Sequence, residues 1–169
     1  MTAQQLIDYF GMTRIAHEGC WFALSYVSPV KLASGSLPAR FGTEPRAAGS
    51  AIHALVTRED FSAMHRLAQD ETWHFYQGDP IELLLLHPDG TDEVVVLGPD
   101  IVAGQRPQFT VPAGTWMGAR PLPDAAAAWS LFGCTLTPAF AERDYVPGER
   151  TALIADFPER AALIEGLTR

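Results

Sequence analysis

The chain has 169 residues, enough for one domain of ordinary size and short of two comfortable ones. Hydrophobic residues make up 47% and charged residues 19%, which excludes a disordered chain, because such chains lack the apolar content to offset ordering entropy. The net charge is −8 with no basic cluster, so neither nucleic acid nor an anionic membrane surface is an expected partner; both need a Lys/Arg footprint.

The first predicted element is a helix over Thr2–Gly11, with Thr2 as cap, Leu6, Ile7 and Phe10 on one face, and Gly11 as the stop. This stretch carries Asp8 and no basic region, and is too short and polar for a signal peptide. Short strands follow over Cys20–Ser28, Ser50–Thr57, Ser62–Ala68, Glu71–Gln77, Ile81–His87, Glu93–Leu97, Gln108–Val111, Thr115–Ala119 and Trp129–Thr137. Turn signals separate them, such as Gly78-Asp79-Pro80, Pro88-Asp89-Gly90, Gly98-Pro99-Asp100 and Pro112-Ala113-Gly114. Leu32–Gly49, rich in Gly, Ser, Pro and Ala, has no periodicity and reads as a mobile stretch or an arm over a pocket mouth. Helical spacing returns over Glu149–Leu167, which Pro158 divides in two. The 14 Gly and 13 Pro suit a sandwich or barrel of short strands.

No apolar run reaches membrane-spanning length, Leu83–Leu86 and Val94–Leu97 being the longest. Cys20 and Cys134 lie far apart in sequence and form no zinc-type Cys-x-x-Cys unit. The expectation is a cytoplasmic protein with reduced cysteines: one domain over 1–169, with an N-terminal helix at 1–11, a β-barrel at 20–137 and C-terminal helices at 149–167.

The residues richest in chemistry are His65, Arg66, Asp70, Glu71, Trp73 and His74, followed by Gly78. A strand pair turning near Gln69-Asp70 would put His65, Leu67, Glu71 and Trp73 on one face. A histidine and a carboxylate on the inner wall of a barrel form an acid–base pair; the alternative is turn and edge residues with Trp73 in the core.

The spacing resembles the first cupin motif, Gly-x5-His-x-His-x3–4-Glu-x6-Gly, with His65, Glu71 and Gly78 in register. Pro112-Ala113-Gly114 sits where the second motif turns. The run His65-Arg66-Leu67-x2-Asp70-Glu71-x-Trp73-His74-Phe75-Tyr76-x-Gly78, with Leu97-Gly98, Val111-Pro112-Ala113-Gly114-x-Trp116, Gly118-Ala119-Arg120, Gly133-Cys134 and Pro138-x-Phe140, resembles the cupin-5 family. The resemblance implies an all-β fold, a cupin-type double-stranded β-helix (jelly-roll barrel) with short N- and C-terminal helices, and a homodimer. It departs where metal would be held. Leu67 replaces the second histidine of the first motif, Met117 the histidine of the second, and Pro121 its Asn. Leucine cannot ligate and a thioether is a poor ligand for hard divalent ions, so no metal and no cofactor are expected. At Ala16-His17-Glu18-Gly19-Cys20-Trp21-Phe22 the family's charged pair is replaced by Ala23 and Leu24, which implies a less polar or differently charged ligand.

Among the remaining residues, His53 reads as packing or pocket lining, and Trp73 and Trp116 as core or pocket walls. His74 alternates away from Glu71, Cys134 reads as a small buried hydrophobe, and Arg66 or Arg120 as an anion-orienting group or a surface residue. The expected function is a metal-independent isomerase, epimerase or lyase acting on a small molecule, with His65 and Glu71 catalytic and Arg66, Trp73, His53, Trp116, Met117 and Arg120 binding substrate. Replacing the two cupin histidines leaves a greasier site around His65, whose acid limb of activity should disappear in His65→Ala and move to lower pH in Glu71→Gln. The alternatives are a non-catalytic small-molecule-binding cupin and a metal-dependent cupin using His53 or His74.

Overall fold

A computed structural model describes residues 1–123 and 126–169. The first helix is α1 (Ala3–Phe10), opened by a reciprocal cap: Thr2 Oγ1 accepts from the Gln5 amide, and Gln5 Oε1 from the Thr2 amide. Gly11, at φ +61°, closes it. Along the chain follow β1 (Thr13–Arg14), β2 (Trp21–Val27), β3 (Lys31–Leu32), β4 (Arg46–Ala47), β5 (Ser50–Thr57), β6 (Ser62–Leu67) and β7 (Glu71–Gly78). Next come β8 (Ile81–Leu86), β9 (Asp92–Leu97), β10 (Gln108–Val111), β11 (Trp116–Pro121), β12 (Trp129–Leu136), β13 (Tyr145–Pro147), α2 (Arg150–Asp156) and α3 (Ala161–Gly166). The nine strands expected from turn punctuation are all present, each end within two residues. A 3-10 turn at Pro158–Arg160 separates the last two helices, where the proline cannot continue the hydrogen-bond ladder. The arm over 32–49 is ordered, contributing β4, a 3-10 turn at Ala39–Phe41 and the buried Phe41.

Two antiparallel sheets face each other, in the jelly-roll arrangement that the resemblance implied. One has the order β1-β2-β5-β12-β7-β10 and the other β13-β6-β11-β8-β9. The expected pairing of β6 with β7 does not form. β6 pairs with β11 and β13, and β7 with β12 and β10, so residues 68–70 carry the chain from one sheet to the other. A hairpin would have kept both strands in one wall; the crossover sets His65 and Glu71 on facing walls instead.

Leu67, Trp73, Leu83, Leu85, Met117, Phe132 and Cys134 meet between the sheets. The outer faces are covered as well. Leu6 of α1 packs with Leu55, Trp129 and Leu131, while Leu153, Ile164 and Leu167 at the other end pack with Met64, Leu84 and Leu86. Burial on both faces explains why Leu83–Leu86 is an unbroken apolar run rather than an alternating one. Among the described residues no helix is long and apolar enough to cross a membrane.

Candidate active site

Strand parity decides what reaches the interior. On β6, His65 and Leu67 point in; on β7, Glu71, Trp73 and Phe75; on β11, Met117 and Ala119. His65 is 3% exposed, and its Nδ1 lies 2.8 Å from the Ala63 carbonyl oxygen. A carbonyl only accepts, so Nδ1 carries a proton, and in the neutral ring the lone pair falls on Nε2, the arrangement of a general base. The Tyr145 ring of β13 stacks on the imidazole, centroids 5.1 Å apart and planes 20° off parallel. The Tyr145 hydroxyl is buried without a hydrogen-bond partner among the described residues. Burial, then the carboxylate of Glu18, raises its pKa and keeps the phenol protonated.

Glu71 accepts from Trp73 Nε1 at 2.9 Å, and the indole is stacked on Phe132 at 4.6 Å. Burial pushes the Glu71 carboxyl up to about 7; Glu18 adds to the rise, while His65 and hydrogen bonds from Trp73 and Cys134 oppose it. Near neutrality Glu71 is therefore a proton carrier rather than a fixed anion. Glu18 sits in the turn between β1 and β2, where its Oε1 accepts from Ser62 Oγ at 2.5 Å and Cys20 Sγ at 3.2 Å. The turn is fixed by the Ala63 amide donating to the Glu18 carbonyl at 3.0 Å and Arg14 Nε to the Gly19 carbonyl at 3.0 Å. Burial lifts both cysteine thiols well above their usual range, so they are neutral and poor nucleophiles.

The interior thus assembles His65, Glu71, Trp73 and Met117 from the expected set and adds Glu18 and Tyr145. The other expected residues lie elsewhere. Arg66 is exposed, with its guanidinium 4.4 Å above the Trp116 ring, and Trp116 packs toward the C-terminal helices. Arg120 pairs with Glu82 at 2.8 Å. His53 stacks on Phe10 of α1 at 4.5 Å, on the outer face of the six-stranded sheet. Each neighbours an inward residue on its strand, and adjacent strand residues face opposite ways. His74 Nε2 meets Thr135 Oγ1 at 3.0 Å, also outside the core. Glu18 had a faint sequence signal in His17-Glu18-Gly19; Tyr145 had none.

The metal ion that the resemblance brings to mind does not fit these residues. Leu67 and Met117 occupy histidine positions, His53 and His74 face away, and among the described residues no three His, Cys, Asp or Glu side chains are arranged to hold a metal. Two surface clefts are lined by other residues. One of about 240 Å³ lies between the 32–42 segment and Gln69-Asp70, and one of about 280 Å³ runs along β9 and residues 103–106.

A family model described as Cupin superfamily (DUF985) matches residues 4–146. A hypothetical protein from Leishmania major is 26% identical with a TM-score of 0.85, covering 99% of each chain. A Shewanella oneidensis protein is 30% identical with a TM-score of 0.84, covering 100% of this chain and 98% of the other. Pac13 of Streptomyces, a nucleoside dehydratase, is 16% identical with a TM-score of 0.51, covering 82% of this chain and 85% of its own; at that identity it speaks to fold alone. Among curated proteins none matches this chain.

Proposed function

The chain belongs to the DUF985 family of the cupin superfamily, and we propose that its barrel is a metal-independent proton-transfer site of the isomerase, epimerase or lyase type, acting on a small carbonyl compound. One observation carries this reading: a buried, protonated Tyr145 hydroxyl, without a hydrogen-bond partner among the described residues, on a ring stacked against the histidine base. An unsatisfied buried hydroxyl costs about 1–3 kcal/mol, a cost that a bound acceptor removes. His65 Nε2 takes a proton from carbon beside the carbonyl. Tyr145 donates a hydrogen bond to the oxygen where negative charge develops. Glu71, poised near neutrality, takes the proton from Nε2–H or returns one to the substrate carbon, Nδ1–H staying on the Ala63 carbonyl.

Among the described residues the one buried arginine or lysine, Arg46, is paired with Asp144, while Glu18 and Glu71 line the interior. Both features favour an uncharged substrate over a phosphorylated one. The dehydratase neighbour illustrates that this fold can host a lyase. The test is solvent-deuterium incorporation by NMR in D2O, across aldoses, ketoses and other uncharged carbonyl compounds. Exchange by the wild type that is lost in His65→Ala and Tyr145→Phe is the expected result, and exchange that survives both substitutions overturns the reading.

A second reading, a barrel that binds without transforming, is favoured by one observation: Leu67 and Met117 stand where cupins carry metal-holding histidines. Saturable binding of a compound whose protons never exchange selects it. A homodimer would cover the exposed Leu24 and Tyr26 of β2 and Tyr76 of β7, and sedimentation velocity tests that association.

A further inference from the structure

β6 does not run evenly past its neighbour. Ser62 stands opposite Ala119 and His65 opposite Met117, so three steps on β6 match two on β11, and the extra residue makes a bulge at Ala63-Met64. The bulge lets Ser62 and His65, an odd number of positions apart, both face the interior. The bulged peptide groups find partners beyond β11. The Ala63 amide donates to the Glu18 carbonyl at 3.0 Å and the Met64 amide to the Leu167 carbonyl at 2.7 Å, while the Met64 carbonyl accepts from the Gly148 amide at 2.7 Å. The Ala63 carbonyl is left for His65 Nδ1–H.

The Ala63 carbonyl and the Met64 amide belong to one peptide unit. A trans peptide is planar and points its C=O and N–H in opposite directions. The hydrogen bond to Leu167, on the outer side, therefore aims the carbonyl inward at the imidazole. Leu167 ends α3 and packs with Met64, Leu84 and Leu153 outside the barrel. A clamp on the next residue holds it there. The hydroxyl of Thr168, 6% exposed, accepts from Arg150 Nε at 2.7 Å and donates to the Ile164 carbonyl at 2.7 Å. The Thr168 carbonyl accepts from Arg150 Nη2 at 2.8 Å.

We propose that Arg150 and Thr168, outside the barrel, are positioning residues for His65. By seating the Leu167 carbonyl on the 63–64 peptide, they keep the imidazole proton on Nδ1 and the lone pair on Nε2. Which ring nitrogen carries the proton is set by the hydrogen bond the ring makes, so loosening that peptide loosens the tautomer. The catalytic value of the tautomer rests on the barrel reading proposed above, whereas the tautomer itself is measured with no substrate present.

In the full chain labelled with 15N-histidine, long-range 1H–15N correlation reads which nitrogen of the neutral ring is protonated, and His65→Asn identifies the His65 signals. The wild type is expected to show Nδ1–H and a bare Nε2. Arg150→Gln and Thr168→Val are expected to raise the Nε2–H population by about tenfold, the worth of one hydrogen bond. Thr168→Ser keeps the hydroxyl and is expected to retain the wild-type spectrum. Leu163→Ala loosens the same helices without touching the clamp, and is expected to lower the melting temperature and leave the tautomer unchanged. Nε2–H as the main wild-type form, a tautomer unmoved in Arg150→Gln, or one moved equally by Leu163→Ala overturns the proposal. Arg150 is exposed, so its variant leaves the core intact and decides the matter even where Thr168→Val folds poorly. Tautomer shifts as expected, with no carbonyl compound exchanging protons, refute the barrel reading and leave the clamp standing.

Discussion

The Glu71 carboxyl makes folding stability depend on pH in an unusual direction. In the unfolded chain it titrates at the ordinary value of 4.5; in the folded barrel burial lifts it to about 7. Below 4.5 both states are protonated and nothing is lost. Between the two values the folded state holds a proton that the unfolded state has released, so stability falls as pH rises. Above 7 the loss is complete at about 3 kcal/mol, from 1.36 kcal/mol per unit. Glu71→Gln retains an acceptor for Trp73 Nε1 but has no charge to desolvate, so it should gain on the wild type by about 3 kcal/mol between pH 4.5 and 8. In a domain of this size that is roughly 6–12 °C of melting temperature. Urea unfolding of both proteins across that range, followed by tryptophan fluorescence, gives the difference directly, and carboxylates common to both cancel. Repeating the pair in a His65→Ala background should extend the window upward, because the imidazole favours the ionised carboxyl. A difference that is flat with pH, or that grows toward acid, would refute the claim that the carboxyl is held out of water.

Tyr145→Phe should leave stability unchanged or raise it by up to about 1 kcal/mol in chemical denaturation, because the deleted hydroxyl has no partner among the described residues, while carbon-bound proton exchange falls by about 100-fold or more. Arg46→Met should cost about 3–5 kcal/mol by stranding the buried Asp144, and adding Asp144→Leu should recover most of it; equal costs for single and double variants would count against a buried pair. Leu83→Ala and Leu84→Ala point to opposite faces of β8, yet each should cost about 2–5 kcal/mol by urea titration, and a mild effect at Leu84 would contradict the packing of the C-terminal helices on that face.

The long strands were legible because each is bracketed by Gly, Pro or Asp and carries enough apolar residues to show its inner face. β1, β3, β4 and β13 span two or three residues, too few to display alternation, and they exist because neighbouring strands offer open edges. For the site, His65 and Glu71 could be read from spacing, whereas Tyr145 reaches His65 only through the β6–β13 ladder, which joins positions some eighty residues apart. Parity could have limited the binding set at the outset. His65 and Arg66 cannot both face the interior, nor can Met117 and Trp116. Gln69 looked like an ordinary turn residue because a turn between strands is normally solvated; here the arm closes over it.

The order of strands also bears on how the site comes into being. The central pairings of the larger sheet join β5 to β12 and β12 to β7, segments far apart along the chain, so large loops must close before most of the ladder can form. Chains dominated by such non-local contacts fold in milliseconds to seconds rather than microseconds. His65 and Glu71, near neighbours in sequence but on opposite walls, gain nothing from that proximity until both sheets exist and dock. The barrel chemistry is therefore acquired all at once, late in folding, and no fragment carrying only the residues around 65–71 should display any part of it.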